Sequence, residues 1–190
     1  MSKSSLASHL TAIQRLVDQH GACPSNDDAL RRAMLQLLPT LASSCRLEGF
    51  PHRVPTRSRY GRKTLLEGPT ADGSRWEIAG LLWPGLGAGV SAVQPNGLTS
   101  PIHCHGDCPV IVHLVLEGEE VEQVYELIDG PQRMVRAAGP LRRTAAGDVA
   151  SVAPDCIHQC GAVRRTEVLT FYLKKQDAEN ARPRIDYRLA

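Results

Sequence analysis

From Lys63 to the end of the apolar run at Lys174 the chain reads as strand after short strand, and this restricts its fold more than any other feature. Alternating or continuous apolar stretches at 63–67, 75–83, 90–93, 101–105, 110–117, 121–128, 134–137, 141–144, 149–152, 157–162 and 167–174 carry the strand period. They are separated by Ala71-Asp-Gly73, Pro84-Gly85, Pro95-Asn-Gly97, Glu117-Gly118, Asp129-Gly-Pro131 and Gly139-Pro140. Many short strands punctuated this often predict a closed or sandwiched antiparallel barrel.

Two helices are expected in front of it. Residues 5–19 place Leu6, Leu10, Ile13, Leu16 and Val17 on one face. A second helix is expected over 26–42, with Ser25 and Asn26 as caps, Asp27 and Asp28 in the first turn, and Leu30, Met34, Leu37, Leu38 and Leu41 as its stripe. Pro39 should kink or end it. The organisation is therefore α+β in outline and mainly β. It reads as one domain over 1–190, with a helical part at 1–45, a barrel at 60–174 and a polar tail at 175–190.

With 22 Lys+Arg against 20 Asp+Glu in 190 residues, the charge balance calls for neither nucleic acid nor an anionic membrane. The arginine-rich stretch at 43–62 reads as a solvated connector. The first residues lack the apolar core of a signal peptide, and no run reaches the ~20 apolar residues of a membrane span. A soluble cytoplasmic protein is expected, so Cys23, Cys45, Cys104, Cys108, Cys156 and Cys160 should be reduced thiols. Four of them crowd the histidines described next. Cys156 and Cys160 share the face of His158 in a regular strand, as apolar fillers, as a layer behind a metal, or as ligands of a zinc site.

Ser100-Pro-Ile-His103-Cys-His105-Gly carries the chemistry. Alternate side chains of a strand share a face, so His103 and His105 can converge while Cys104 points away. His158, in Gly147-Asp-Val…Pro154-Asp-Cys-Ile-His158, is the candidate third ligand. Neutral imidazoles suit first-row transition metals, and three on one side leave the other open to substrate. His113, within Val110-Ile-Val-His-Leu-Val-Leu116, reads as a satisfied strand histidine rather than a ligand.

The order of these segments resembles the two sequence motifs of the cupin superfamily. Within it, the chain resembles the thiol dioxygenases typified by cysteine dioxygenase. The likeness is carried by Tyr60-Gly-Arg62-Lys-Thr-Leu-Leu, Ile78-Ala-Gly-Leu-Leu-Trp83-Pro-Gly85, the His103/His105 segment, Leu116-Glu-Gly118-Glu-Glu, Gly147-Asp-Val149…Ile157-His158 and Val168-Leu-Thr-Phe-Tyr172. It spans about residues 60–174. It implies a cupin-type antiparallel β-barrel preceded by N-terminal helices. It further implies an Fe(II) cofactor on His103, His105 and His158, Arg62 as clamp for a substrate carboxylate, Tyr60 beside it, and Tyr172 as a phenol directed at the iron.

The implied reaction is oxidation of the thiol of cysteine, or of a related short thiol carboxylate, to a sulfinate by O2. The implied partners are a small thiol and O2, with no nucleic acid and no membrane. Several positions depart from the pattern. The glutamate that most cupins place after the second histidine would fall on Pro109 or Val110. The relay serine and histidine fall on Val168 and Thr170, and the crosslinking cysteine falls on Val110, with Cys108 two residues early. An added loop at 90–97 precedes the histidine pair. A metal-dependent lyase or isomerase, another oxygenase, and a non-catalytic zinc-binding module stay open as alternatives.

Overall fold

The structure is a computed structural model that describes residues 4–20, 27–47, 50–51, 53, 59–86, 97–106, 108–175 and 187–190. Two helices, α1 (Ser4–His20) and α2 (Asp27–Leu47), precede the strands. Ile13, Val17, Leu30, Met34, Leu38 and Leu41 are fully buried, as their helical spacing requires. Leu10 departs from the expected stripe and is 39% exposed. The caps Ser25 and Asn26, Cys23, and the side chains of Leu6 and Cys45 lie outside the described residues. Pro39 does not end α2, which continues to Leu47. It sits on the exposed face of the helix, where a carbonyl deprived of its N–H partner costs least.

One sheet runs β1 (Gly61–Pro69), β2 (Arg75–Trp83), β9 (Thr166–Lys174), β3 (Val110–Glu117) and β7 (Val149–Val152). The other joins β10 (Arg188–Leu189), β5 (Met134–Ala137), β4 (Glu119–Asp129) and β6 (Arg142–Ala145), with β8 (Ile157–Gly161) also paired to β4. The chain is thus mainly β, two curled, largely antiparallel sheets with helices packed outside, as the many short strands and the two N-terminal helical stripes of the sequence lead one to expect. The candidate strand at 90–93 and the loop at 90–96 lie outside the described residues.

The central strands β2, β3 and β9 are buried on both faces and serve two cores. Trp76 and Ile78 of β2, Val110, Val112 and Leu114 of β3, and Leu169, Phe171 and Leu173 of β9 pack against the helices. The alternate residues, Ala79, Leu81 and Trp83, Ile111 and Val115, and Val168 and Tyr172, face the interior between the sheets. This parity decides which side chains reach the interior. It places Val110 against the helices, so the crosslinking position of the resembled family is turned away from the site.

Residues 101–105 do not form the regular strand expected there. Pro101 has no N–H to offer a ladder, and the segment touches β8 through one isolated bridge, His103 with His158, as Leu98 before it does with Gly161. The tail returns to cover this segment. Tyr187 N–H donates to Ile102 O at 3.2 Å, and Arg188–Leu189 pair in parallel with Met134–Val135. Close approach of residues 97–99 to β8 requires Gly161, because a Cβ there would lie 2.1 Å from Gly97 O and 2.7 Å from Thr99 N. Gly161→Ala is therefore expected to destabilise the fold by about 1–3 kcal/mol through overpacking. In thermal denaturation the midpoint falls by roughly 2–10 °C.

Candidate metal centre

His103 and His158 are joined through their backbones before their rings meet. His103 N–H donates to His158 O at 2.9 Å and His158 N–H to His103 O at 2.8 Å, the reciprocal pair of an antiparallel ladder. His105 is fixed by its own N–H, which donates to Pro154 O at 3.0 Å. Alternation then sends His103 and His105 inward and Cys104 outward, where its sulfur lies 3.7 Å from the Tyr187 hydroxyl. The three rings pack with centroids 4.6, 4.7 and 5.2 Å apart, and all three histidines are buried.

Hydrogen bonds fix which nitrogens face one another. Pro101 O can only accept, so His103 Nδ1–H donates to it at 2.8 Å. The Glu122 carboxylate accepts from His158 Nδ1–H at 2.6 Å. In both neutral rings Nε2 is then a lone pair. His158 Nε2 is buried with no hydrogen-bond partner, and His103 Nε2 stands 3.1 Å from His105 Nε2. Each histidine offers one nitrogen within 4.8 Å of the others. Two imidazole nitrogens about 2.1 Å from one ion at nearly a right angle lie about 3 Å apart. A single cation thus satisfies an orphaned lone pair and the close nitrogen pair together, and the residues fit a metal.

β4 supplies what lies behind the ligands. Glu120, Glu122 and Val124 share the parity of Cys160 and His158 across the β4–β8 pairing, so both glutamates turn inward. Burial alone would raise the Glu122 carboxyl, but the hydrogen bond from His158 and the neighbouring positive charges outweigh it and hold the carboxyl below its usual range. A carboxylate behind a ligating imidazole fixes the ring and raises its basicity. Glu122 and Cys160 are themselves within coordinating range of His158, yet they lie on its Nδ1 side, where the proton goes to the carboxylate. Cys160 Sγ is 3.6 Å from that nitrogen. Burial pushes the Cys160 thiol well above its ordinary value and raises Cys156 as well, which opposes the thiolate that a zinc site needs. Cys160 is buried and Cys156 half-buried, both packed with the apolar residues between the sheets.

The Nε2 atoms open on a cavity of about 40 Å³. Since one water needs ≳10–15 Å³ on this scale, only a small molecule fits. Tyr60 and Tyr172 both line it, Tyr60 tilted against Trp83 with centroids 4.8 Å apart and Tyr172 beside His105 at 6.0 Å. Arg62 is not part of the wall. Its Nη2 donates to Glu77 Oε1 at 2.7 Å, and its guanidinium carbon lies 5.8 Å from the Tyr172 ring centroid. Lys174 Nζ donates to Glu77 Oε2 at 2.6 Å and stands at the same distance from that ring. Burial would raise Glu77, but the hydrogen bonds from Arg62, Lys174 and Thr64 outweigh it and hold the carboxyl at about 2.

His113 is a buried residue of β3 outside the group of three ligating histidines, as expected. It faces the cavity, with Nε2 3.3 Å from Glu120 Oε2. The roles of Glu77, Glu120 and Glu122 were not assigned from the sequence. The signal in the sequence for the last two is an acidic pair spaced two apart in a strand, with Val121 between them.

No protein-family model and no curated protein matches the chain. Among solved structures it is similar to a cupin superfamily protein of Desulfitobacterium hafniense, at 17% identity over 58% of this chain and 77% of the other, with TM-score 0.36. An RmlC-like cupin of Desulfovibrio desulfuricans aligns at 19% identity over 64% and 87%, TM-score 0.40. The DMSP lyase DddQ of Ruegeria pomeroyi aligns at 19% identity over 67% of this chain and 53% of its own length, TM-score 0.41. At these TM-scores the likeness is weak, and the two-sheet architecture stands on the strand order and registers given above. None of the described helices is long and apolar enough to cross a membrane.

Two outcomes are expected. Glu122→Ala lowers metal affinity about 10–100-fold, the usual cost of losing a partner behind a ligand, measured by competition with a chromogenic chelator. Glu77 has a folded-state value of about 2 against an ordinary 4.5, so its stabilisation is full above about pH 5 and fades as pH falls through that interval. The wild-type advantage over Glu77→Gln in urea midpoint is therefore larger at pH 7 than at pH 3.

Proposed function

We propose that the protein is a non-heme Fe(II) thiol dioxygenase that converts cysteine or a related short thiol carboxylate to its sulfinate. The observation that carries this reading is the set of three buried histidines whose ring nitrogens lie within 4.8 Å of one another, without a carboxylate among them. Three neutral ligands leave a ferrous ion its full formal 2+ charge, which favours an incoming thiolate. When bound there, iron supplies activation of O2 beside sulfur, chemistry that no side chain of the site possesses. The overall change, R–SH + O2 to R–SO2⁻ + H⁺, balances without an external reductant, because sulfur gives up the four electrons that O2 takes.

The chain's own groups position and enclose the reactants. Pro101 O and Glu122 hold two ligand rings in the required tautomer. Tyr60, Trp83 and Tyr172 form walls that limit substrate size and exclude water. Tyr172 is the hydrogen-bonding phenol beside the reacting sulfur in this reading. Arg62 serves as the carboxylate clamp by sharing its guanidinium with Glu77. A guanidinium has five N–H donors, and with Lys174 this corner sets two cations against one carboxylate, so it retains a net positive charge for an anion.

An oxygen electrode tests the proposal. The Fe(II)-loaded protein is expected to consume O2 with short thiols in step with sulfinate formation, and His158→Ala to abolish uptake. Arg62→Ala is expected to raise KM for thiol carboxylates about 10–100-fold, the cost of a lost charge-assisted contact. Absence of uptake with every thiol, or turnover under anaerobic conditions, overturns the dioxygenase reading.

A further inference from the structure

The corner around Arg62 already holds an anion of its own. Arg62 of β1 and Lys174 of β9 close on Glu77 of β2, Arg62 Nη2–H donating to Oε1 at 2.7 Å and Lys174 Nζ–H to Oε2 at 2.6 Å. The Thr64 hydroxyl donates to Oε1 as well. The Glu77 side chain is 7% exposed, against 33% for Arg62 and 39% for Lys174. Glu77 stands opposite Tyr172 across the β2–β9 ladder, and both cations lie 5.8 Å from the centroid of that ring, which lines the cavity of the histidine centre. The Glu77 carboxyl is held at about 2, so this resident anion is charged throughout the neutral range.

A substrate carboxylate clamped by Arg62 has to compete with it. Arg62 and Glu77 alone would be a neutral pair, without net attraction for a second anion. Lys174 brings the corner to one net positive charge. It also keeps Glu77 paired while Arg62 turns to the substrate, and a buried carboxylate left without a partner is strongly destabilising. An ammonium carries three donors on a flexible stem, which lets Lys174 follow the carboxylate as the guanidinium shifts.

We propose that Glu77 is an internal competitor for the substrate carboxylate, and that Lys174 is the positioning residue that sets how readily Arg62 is released from it. This rests on the reading of Arg62 as the clamp of a thiol-binding centre. It deepens that reading, because the strength of the substrate contact is then set by two residues that need not touch the substrate. Removing the competitor strengthens binding, opposite in sign to what the loss of a purely structural carboxylate would do.

Anaerobic calorimetry of the Fe(II)-loaded protein reads the carboxylate preference as the ratio of affinities for 3-mercaptopropionate and 3-mercaptopropan-1-ol. The two thiols differ in the charged group, so effects on the metal or the fold cancel in the ratio. Glu77→Gln keeps an acceptor but takes the corner from one net positive charge to two. It is expected to raise the ratio about 10-fold, the scale of a unit charge several Å away at partial burial. Lys174→Met takes the corner to zero and is expected to lower the ratio about 3–10-fold, less because Lys174 is partly screened by solvent. Lys174→Arg is expected to keep it, and the double variant Glu77→Gln/Lys174→Met, again at one net charge, to match or exceed the wild type. Lys174 lies at the solvent edge, so its variants test the inference even where Glu77→Gln folds poorly. A Glu77→Gln ratio at or below the wild type, a Lys174→Met ratio unchanged, or a double variant as poor as Lys174→Met alone overturns the inference. Loss of the preference in Arg62→Ala then still upholds the clamp, whereas absence of binding by every thiol overturns both readings.

Discussion

The reciprocal backbone hydrogen bonds between His103 and His158 hold the site together. Their sequence separation would make convergence of two flexible side chains entropically costly. Here the convergence is built into the main chain, and ladder geometry sets the distance between the two Cα atoms before any ring is placed. His105 is placed by its own N–H bond to Pro154 O, and Pro101 O and Glu122 select the tautomers of the other two rings. What remains for a metal is to bind between ring nitrogens that already lie within 4.8 Å of one another. This is the preorganisation that makes a site on β-structure more exact than one on a loop.

Strand parity does comparable work for the interior. β2, β3 and β9 each send one face to the helices and the other between the sheets. The core on the helix side is aliphatic and aromatic. The inward side mixes the same apolar residue types with His113, Thr170, Glu77 and Tyr172, all on the parity that points away from the helices. A polar interior of this kind is tolerated only where its groups are paired or await a partner. Glu77 illustrates the first case, with three donors around one carboxylate. Thr170, whose buried hydroxyl has no hydrogen-bond partner, illustrates the second.

Much of this was legible in the sequence because it depends on local period. The helical stripes, most strand limits and the inward pair His103/His105 are consequences of spacing that long-range contacts did not overrule. What escaped was set by pairing between distant segments. Glu119-Glu120-Val121-Glu122 reads as a charged strand, and only the register with β8 turns two of its carboxylates inward. Arg62 reads as free to bind a substrate carboxylate until β2 brings Glu77 across from β1. Residues 101–105 read as strand, but their backbone partners are scattered over His158 of β8, Pro154 before it and Tyr187 of the tail. Two residues are too few for β10 to leave a periodic trace.

Glu122 has a second neighbour besides His158: Arg142 Nη1 lies 3.6 Å from its other oxygen, and the arginine side chain is 65% exposed. An exposed ion pair is sensitive to screening by dissolved salt, whereas a carboxylate bonded to a buried imidazole is not. Glu122 belongs to both kinds of contact at once. The ionic atmosphere outside the sheets is in this way one carboxylate removed from the buried His158 imidazole, and the grip on that ring reaches the solvent through Arg142.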